Sequence, residues 1–174
     1  YLALLETTFL IRPVNAWHAN LGKRLVKAPK LYLCDTGLLT HLNGIQSASQ
    51  LNLSPFKGAC LENLVLVELL KQASWADQAV TLWHFRTAAG REVDFILESP
   101  DGRLIGIEVK ASATLKSDDF AALKDIGGLL HKRFVCGLVL YAGDTVLPFG
   151  DRLWAVPLQA LWENQTDDIR RATP

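Results

Sequence analysis

Asp94, Glu108 and Lys110 are the residues whose types and spacing point to chemistry. Residues 92–97 (EVDFIL) and 104–110 (LIGIEVK) alternate polar and apolar side chains with the period of two that marks a strand. The Ser99-Pro100-Asp101-Gly102 segment between them is a turn of hairpin length. Alternation puts Glu92 and Asp94 on one face of the strand at 92–97, opposite Val93, Phe95 and Leu97. On the strand at 104–110 Gly106, Glu108 and Lys110 share a face opposite Ile105, Ile107 and Val109. The hairpin then sets Asp94 beside Glu108, with Lys110 two residues along. Two carboxylates about 4 Å apart repel by roughly 4 kcal/mol at an effective dielectric of about 20. A divalent cation offsets that repulsion, and hard oxygen ligands suit Mg2+ or Mn2+. Such an ion neutralises charge on a phosphate and activates water for phosphodiester hydrolysis. A neighbouring lysine stabilises developing charge. The competing reading is an antiparallel sheet with one wet face, on which Glu108 and Lys110 form a solvated pair.

The elements that must position these residues follow from pattern and punctuation. Ser54-Pro55 reads as an N-cap followed by proline at the first helical position, opening a helix to about residue 73. Leu61, Leu64, Val65, Leu66, Val67, Leu69 and Leu70 make that helix apolar nearly all round, so it is expected to be buried. Glu62 is conspicuous on it and can supply a further ligand through water. Residues 80–86 are a first strand, ending in Arg86, which can pair with Glu92 or contact a phosphate. Ser117 caps a helix to about residue 130, and residues 134–141 form a buried strand. The expected order is α-β-β-β-α-β, an α/β unit over residues 55–162. A short strand at 153–156 and a helical turn at 157–162 close it, and residues 163–174 are a polar tail. Trp75, Trp83, Trp154 and Trp162 are expected in the core.

Residues 1–44 read as a small winged-helix-like element: a short helix, an extended run at 10–14, a basic loop at 15–29, a second extended run at 31–34, and a helix capped by Asp35-Thr36. Residues 45–54 read as a polar linker. The basic loop carries Lys23, Arg24 and Lys27 with Trp17 and His18, a composition able to track a nucleic-acid backbone by charge and stacking. A solvated loop, or a face against another domain, is the blander alternative.

The chain has 174 residues, 49% hydrophobic and 21% charged, enough for a packed core and too apolar for a disordered chain. Its 18 basic and 18 acidic residues balance, so net charge does not indicate a polyanionic partner. Residues 1–34 are locally basic, with five Lys and Arg against Glu6. Cys34, Cys60 and Cys136 form no CxxC pair, so free thiols in a reducing, cytoplasmic setting are expected. His18, His41, His84 and His131 show no ligand spacing. No apolar stretch reaches about 18 residues, so no membrane helix is expected. The chain contains no methionine, so it is expected to be a fragment of something longer.

The α-β-β-β-α-β order with Asp94, Glu108-x-Lys110 and the helix-borne Glu62 resembles the PD-(D/E)xK, or restriction-endonuclease-like, nuclease superfamily. Val93 stands where that signature has proline. A second resemblance covers nearly the whole chain. Residues 25–39 (LVKAPKLYLCDTGLL), residues 58–70 (GACLENLVLVELL), Arg86, EVDFIL and IEVKAS resemble, in order, an uncharacterised C-terminal domain of bacterial and archaeal predicted AAA-type ATPases. The resemblance implies an N-terminal ATPase domain as partner in the full-length chain, where ATP would bind. This sequence holds no GxxxxGK[ST] phosphate loop. It also implies a mixed sheet, a Mg2+ or Mn2+ site at Asp94, Glu108 and Glu62, and DNA or RNA as substrate. A nuclease fold retained as a binding or regulatory module for the ATPase is the alternative.

Overall fold

A computed structural model describes residues 1–18, 28–86 and 90–163. The candidate contacts Lys23, Arg24 and Lys27 lie outside the described residues, as does most of the expected tail.

The body is a six-stranded sheet between two helical layers. Its strands are β3 (Thr81–Arg86), β4 (Glu92–Glu98), β5 (Leu104–Lys110), β6 (Phe134–Tyr141), β7 (Leu147–Gly150) and β8 (Leu153–Pro157), ordered β3-β4-β5-β6-β8-β7. The β3-β4-β5 meander is antiparallel, as the short turns require, while β5, β6 and β8 run parallel. Parallel neighbours need a crossover, and α5 (Ala121–Leu130), entered through a 3-10 turn at Ser117–Phe120, supplies it between β5 and β6. Helix α4 (Lys57–Trp75) covers the other face. The expected order of helix, three strands, helix and strand is thus observed within a mixed sheet. Strand β7 was not anticipated.

Two apolar clusters sit on the two faces. Val65, Leu66 and Leu69 of α4 pack on Phe95, Ile107 and Leu140. Phe120, Leu123, Ile126 and Leu130 pack on Val93, Ile96, Val139 and Ala155. These assignments break the strict alternation expected of β4, because Val93 and Phe95 lie in different clusters. The cause is a register shift against β3: Trp83 pairs with Ile96 but Phe85 pairs with Val93, so Asp94 and Phe95 together face His84. A β-bulge of this kind turns successive side chains toward one side of the sheet.

The N-terminal residues form helix α1 (Leu2–Thr7), an antiparallel hairpin of β1 (Ile11–Val14) and β2 (Lys30–Leu33), helix α2 (Thr36–Leu42) and helix α3 (Ala48–Leu53). Asp35 caps α2 as expected, accepting from the Leu38 N–H. Helix α3 falls inside the segment expected to be a linker, capped by Ser47. The hairpin packs against the body: Val14 and Tyr32 join the α4 cluster. The chain then crosses the edge of β3, where the Trp17 N–H donates to the His84 carbonyl at 2.6 Å and the His84 N–H donates to the Asn15 carbonyl at 3.0 Å. Trp17 ends buried in the opposite cluster, at 1% exposure, which excludes the base-stacking role considered for it.

Other expectations need correction. Ser54 does not cap α4; its hydroxyl accepts from the Phe56 N–H, shaping the turn before a helix that begins at Lys57. At the entry to α5 the capping bond comes from Asp119, which accepts from the Lys116 N–H at 2.7 Å. Trp75 and Trp162 are exposed, because they stand at the ends of their elements, beyond the packed layers. Cys60 is buried, while Cys34 and Cys136 are half-buried, all as free thiols. No helix among the described residues is long and apolar enough to cross a membrane.

Close packing of α5 on the sheet depends on glycine. A Cβ at Gly137 would lie 2.7 Å from Leu153 Cδ2 and 3.1 Å from both Leu123 Cβ and Phe134 Cζ. Gly137→Ala should therefore destabilise the fold by about 1–3 kcal/mol through overpacking, read as a lowered urea midpoint with unchanged slope.

Candidate functional site

The site forms where β4 and β5 part. Their ladder runs from Glu98–Leu104 to Phe95–Ile107. Beyond it the Val109 N–H donates to Asp94 Oδ2 at 2.9 Å. A carboxylate that accepts a ladder donor lies between the strands, close to the sheet plane. Asp94 therefore stands in a seam, 8% exposed, and not on a wet face of the sheet.

On the α4 side of that seam, three carboxylates surround one ammonium. Lys30 Nζ lies 3.0 Å from Glu62 Oε1, 3.3 Å from Glu92 Oε2 and 3.3 Å from Asp94 Oδ1. Each carboxylate also has a second anchor. The Tyr32 hydroxyl donates to Glu62 Oε1 at 2.5 Å, Arg86 Nε meets Glu92 Oε1 at 3.1 Å, and Asp94 holds Val109. Lys30 and Tyr32 are two apart on β2, so period two brings both to the site. Asn63 fixes that strand: its side chain accepts from the Leu33 N–H and donates to the Leu33 carbonyl and to Thr36 Oγ1, at 3.0, 3.1 and 3.0 Å.

On the α5 side, Lys110 Nζ lies 3.0 Å from Glu108 Oε1 and 3.9 Å from Asp119 Oδ1. Glu108 Oε2 is buried and has no hydrogen-bond partner among the described residues. These groups border an open cavity of about 410 Å³ with Arg91 and Asp118.

Electrostatics reflect the crowding. Burial pushes the Asp94 carboxyl up, and the Glu62 charge adds to this, while Lys30 and the Val109 N–H pull it back. Burial and the Asp94 charge push Glu108 up to about 7, against the pull of Lys110 and of the Asp94 backbone N–H. For Lys30, burial alone would lower the ammonium, but Asp94, Glu62 and Glu92 outweigh it and the net shift is upward. Lys110 is likewise raised, with Glu108 outweighing burial. Both members of the Glu108–Lys110 pair thus hold a proton more tightly, because burial disfavours the charged carboxylate even beside its lysine.

The structure brings Asp94 and Glu62 together around Lys30, and Glu108 and Lys110 together beside them. Asp94 and Glu108 sense each other's charge, but they approach the seam from different sides rather than sharing one face. No three acidic, His or Cys side chains among the described residues are gathered as a ready metal-binding set. Two observations nonetheless fit a divalent cation at Asp94 and Glu108. One is the orphaned Glu108 Oε2. The other is a local charge excess: Glu62, Glu92, Asp94, Glu108 and Asp119 are five carboxylates against three cations, Lys30, Arg86 and Lys110.

Residues 57–161 match a family described as a domain of unknown function, DUF4143. The chain belongs to the DUF4143 family. Residues 1–49, which bring Lys30 and Tyr32, match a second domain of unknown function, DUF8612. Among the relatives are the uncharacterized protein Rv2008c of Mycobacterium tuberculosis and the uncharacterized protein Mb2031c of Mycobacterium bovis. Each is 31% identical over 172 residues, covering 97% of this chain and 36% of the relative. The chain thus spans about a third of the length of these relatives. No solved structure matches it at a significant level.

Lys30, Tyr32, Asn63 and Asp119 were not singled out from sequence. Lys30 and Tyr32 sit inside the quoted KAPKLYL segment, and their i, i+2 spacing was the available signal. Asn63 is a lone amide in an apolar helix run, and its burial to 2% marks it as a latch.

Two outcomes are expected. Asn63→Leu leaves the Leu33 N–H and carbonyl unpaired and should cost about 2–4 kcal/mol by urea unfolding. For Glu108, the folded pKa near 7 lies above the ordinary 4.5, so the folded state binds the proton more tightly. Its stabilising contribution is full below about pH 4.5 and is lost as pH rises through about 7. Asp94 shifts in the same direction. Stability should fall by about 1–3 kcal/mol across that window, and Glu108→Gln should flatten the fall in a urea series run at stepped pH.

Proposed function

We propose that this DUF4143 domain is a metal-dependent phosphodiesterase of the PD-(D/E)xK type, acting on nucleic acid. The observation that carries this reading is the buried Glu108 Oε2, which has no hydrogen-bond partner among the described residues and feels the Asp94 charge. An acid that burial and, second, the Asp94 charge keep half-protonated near neutrality is a cost to the fold, and it serves a purpose if a cation binds there. Asp94 and Glu108 would hold Mg2+ or Mn2+, with Glu62 contributing through water. The ion would neutralise phosphate charge and lower the pKa of bound water.

The chain's own residues supply the rest. Lys110, kept cationic by Glu108 and Asp119, stands at the cavity where negative charge would develop on a phosphate. Arg86 reaches the same rim through Glu92 and is a candidate phosphate contact, with Lys23, Arg24 and Lys27 proposed as further contacts. The relatives' greater length leaves room for an attached AAA-type ATPase domain, the proposed partner and the place where ATP would act.

One observation favours a second reading. Lys30 already supplies a cation to Glu62, Glu92 and Asp94, as expected of a nuclease fold retained as a binding or regulatory module.

Cleavage assays on single-stranded, duplex and branched DNA and on RNA, with Mn2+, decide between them. On the enzyme reading, Asp94→Ala and Lys110→Ala each lower the rate about a hundredfold or more. Asp94→Ala also weakens Mn2+ binding, whereas Lys110→Ala preserves or tightens it, since a nearby positive charge is gone. Absence of cleavage and of Mn2+ binding, including with the full-length ATPase, would establish the module.

A further inference from the structure

The three carboxylates around Lys30 do not need it for their positions. Glu62 is held by the Tyr32 hydroxyl, Glu92 by Arg86, and Asp94 by the Val109 N–H. Removing the ammonium would leave each acid aimed where it is and take away only charge. The backbone under Lys30 is also fixed independently, because the Asn63 latch grips Leu33 on the same strand. The Lys30 side chain is 25% exposed and borders an open cavity of about 440 Å³ shared with Ile11, Leu31 and Tyr32. A flexible four-carbon stem next to such a space can swing its strongly hydrated ammonium into water. Lys30 can thus leave the three carboxylates without dismantling their arrangement.

We propose that Lys30 is a built-in competitor for the divalent cation at Asp94: its ammonium occupies Asp94 Oδ1 in the metal-free protein and swings out when the ion loads. The inference rests on the metal site of the reading above and adds its regulation. It makes β2 the element that sets metal affinity. A push that presses β2 toward β4 would hold the lysine in place and keep the ion out.

The test is Mn2+ binding by calorimetry on the whole chain, in wild type, Lys30→Met and Lys30→Arg. Met keeps the apolar stem and drops the charge. Lys30→Met should bind Mn2+ at least about tenfold tighter, and Lys30→Arg should stay close to wild type. Equal or weaker binding by a folded Lys30→Met protein overturns the proposal. If Lys30→Met does not fold, wild type still decides. Acylation of Lys30 by an amine-directed reagent, mapped by mass spectrometry, should accelerate when Mn2+ is added, and an unchanged rate overturns the proposal. Cleavage is scored separately. Tightened binding without cleavage sinks only the nuclease reading, whereas cleavage with no effect of Lys30 on Mn2+ sinks only the competitor.

Discussion

The structure turns on the accommodation of like charges around Asp94. Glu62 raises the cost of ionising Asp94, and Asp94 raises the cost of ionising Glu108. Asp94 and Glu108 come from the interior of the sheet, so neither lies open to water. The fold answers with cations from three further places: Lys30 from the hairpin, Arg86 from the end of β3 and Lys110 from β5 itself. The hairpin is therefore no appendage to the α/β body, because without β2 the α4 side of the seam would hold three acids with only Arg86 to offset them.

Two backbone irregularities create that seam. The bulge at Asp94-Phe95 turns both side chains toward α4, and the end of the β4–β5 ladder leaves the Val109 N–H without a strand partner. The Asp94 carboxylate takes the place of the lost backbone acceptor. A regular ladder through residue 94 would satisfy Val109 by main chain and leave Asp94 on a face. Local departure from pairing thus puts a charged group inside the sheet at little hydrogen-bond cost.

Much of this was legible in the sequence, for identifiable reasons. Strands β5 and β6 match their expected bounds because their apolar runs end in turn residues or charges. The Asp35 cap was plain because the residue type has few other uses before a short helix. The facing of Val93 and Phe95 was not, since a bulge changes side-chain direction without changing composition. Ser54-Pro55 misled because a serine hydroxyl serves a turn as readily as a helix start. Lys30 escaped notice because nothing local couples a basic residue near the start of the chain to acids 32 to 64 positions away, and only tertiary packing does. Trp75 and Trp162 show the reverse: their hydrophobicity suggested the core, while their places at element ends left them at the surface.

The crossing of Asn15 and Trp17 over β3 bears on what the edges of the sheet offer to another chain. An edge strand offers unpaired N–H and C=O groups that recruit another chain. At His84 both groups of β3 are already taken by Asn15 and Trp17, so that part of the rim offers no open pairing sites. At the opposite rim, β7 spans four residues, carries Pro148 and breaks register before Gly150, which makes it a poor template. The sheet is therefore blunted at both ends by different means. A version trimmed of residues 1–17, as a cut guided only by the 57–161 family match would be, loses one of those guards and exposes β3 to edge-to-edge association.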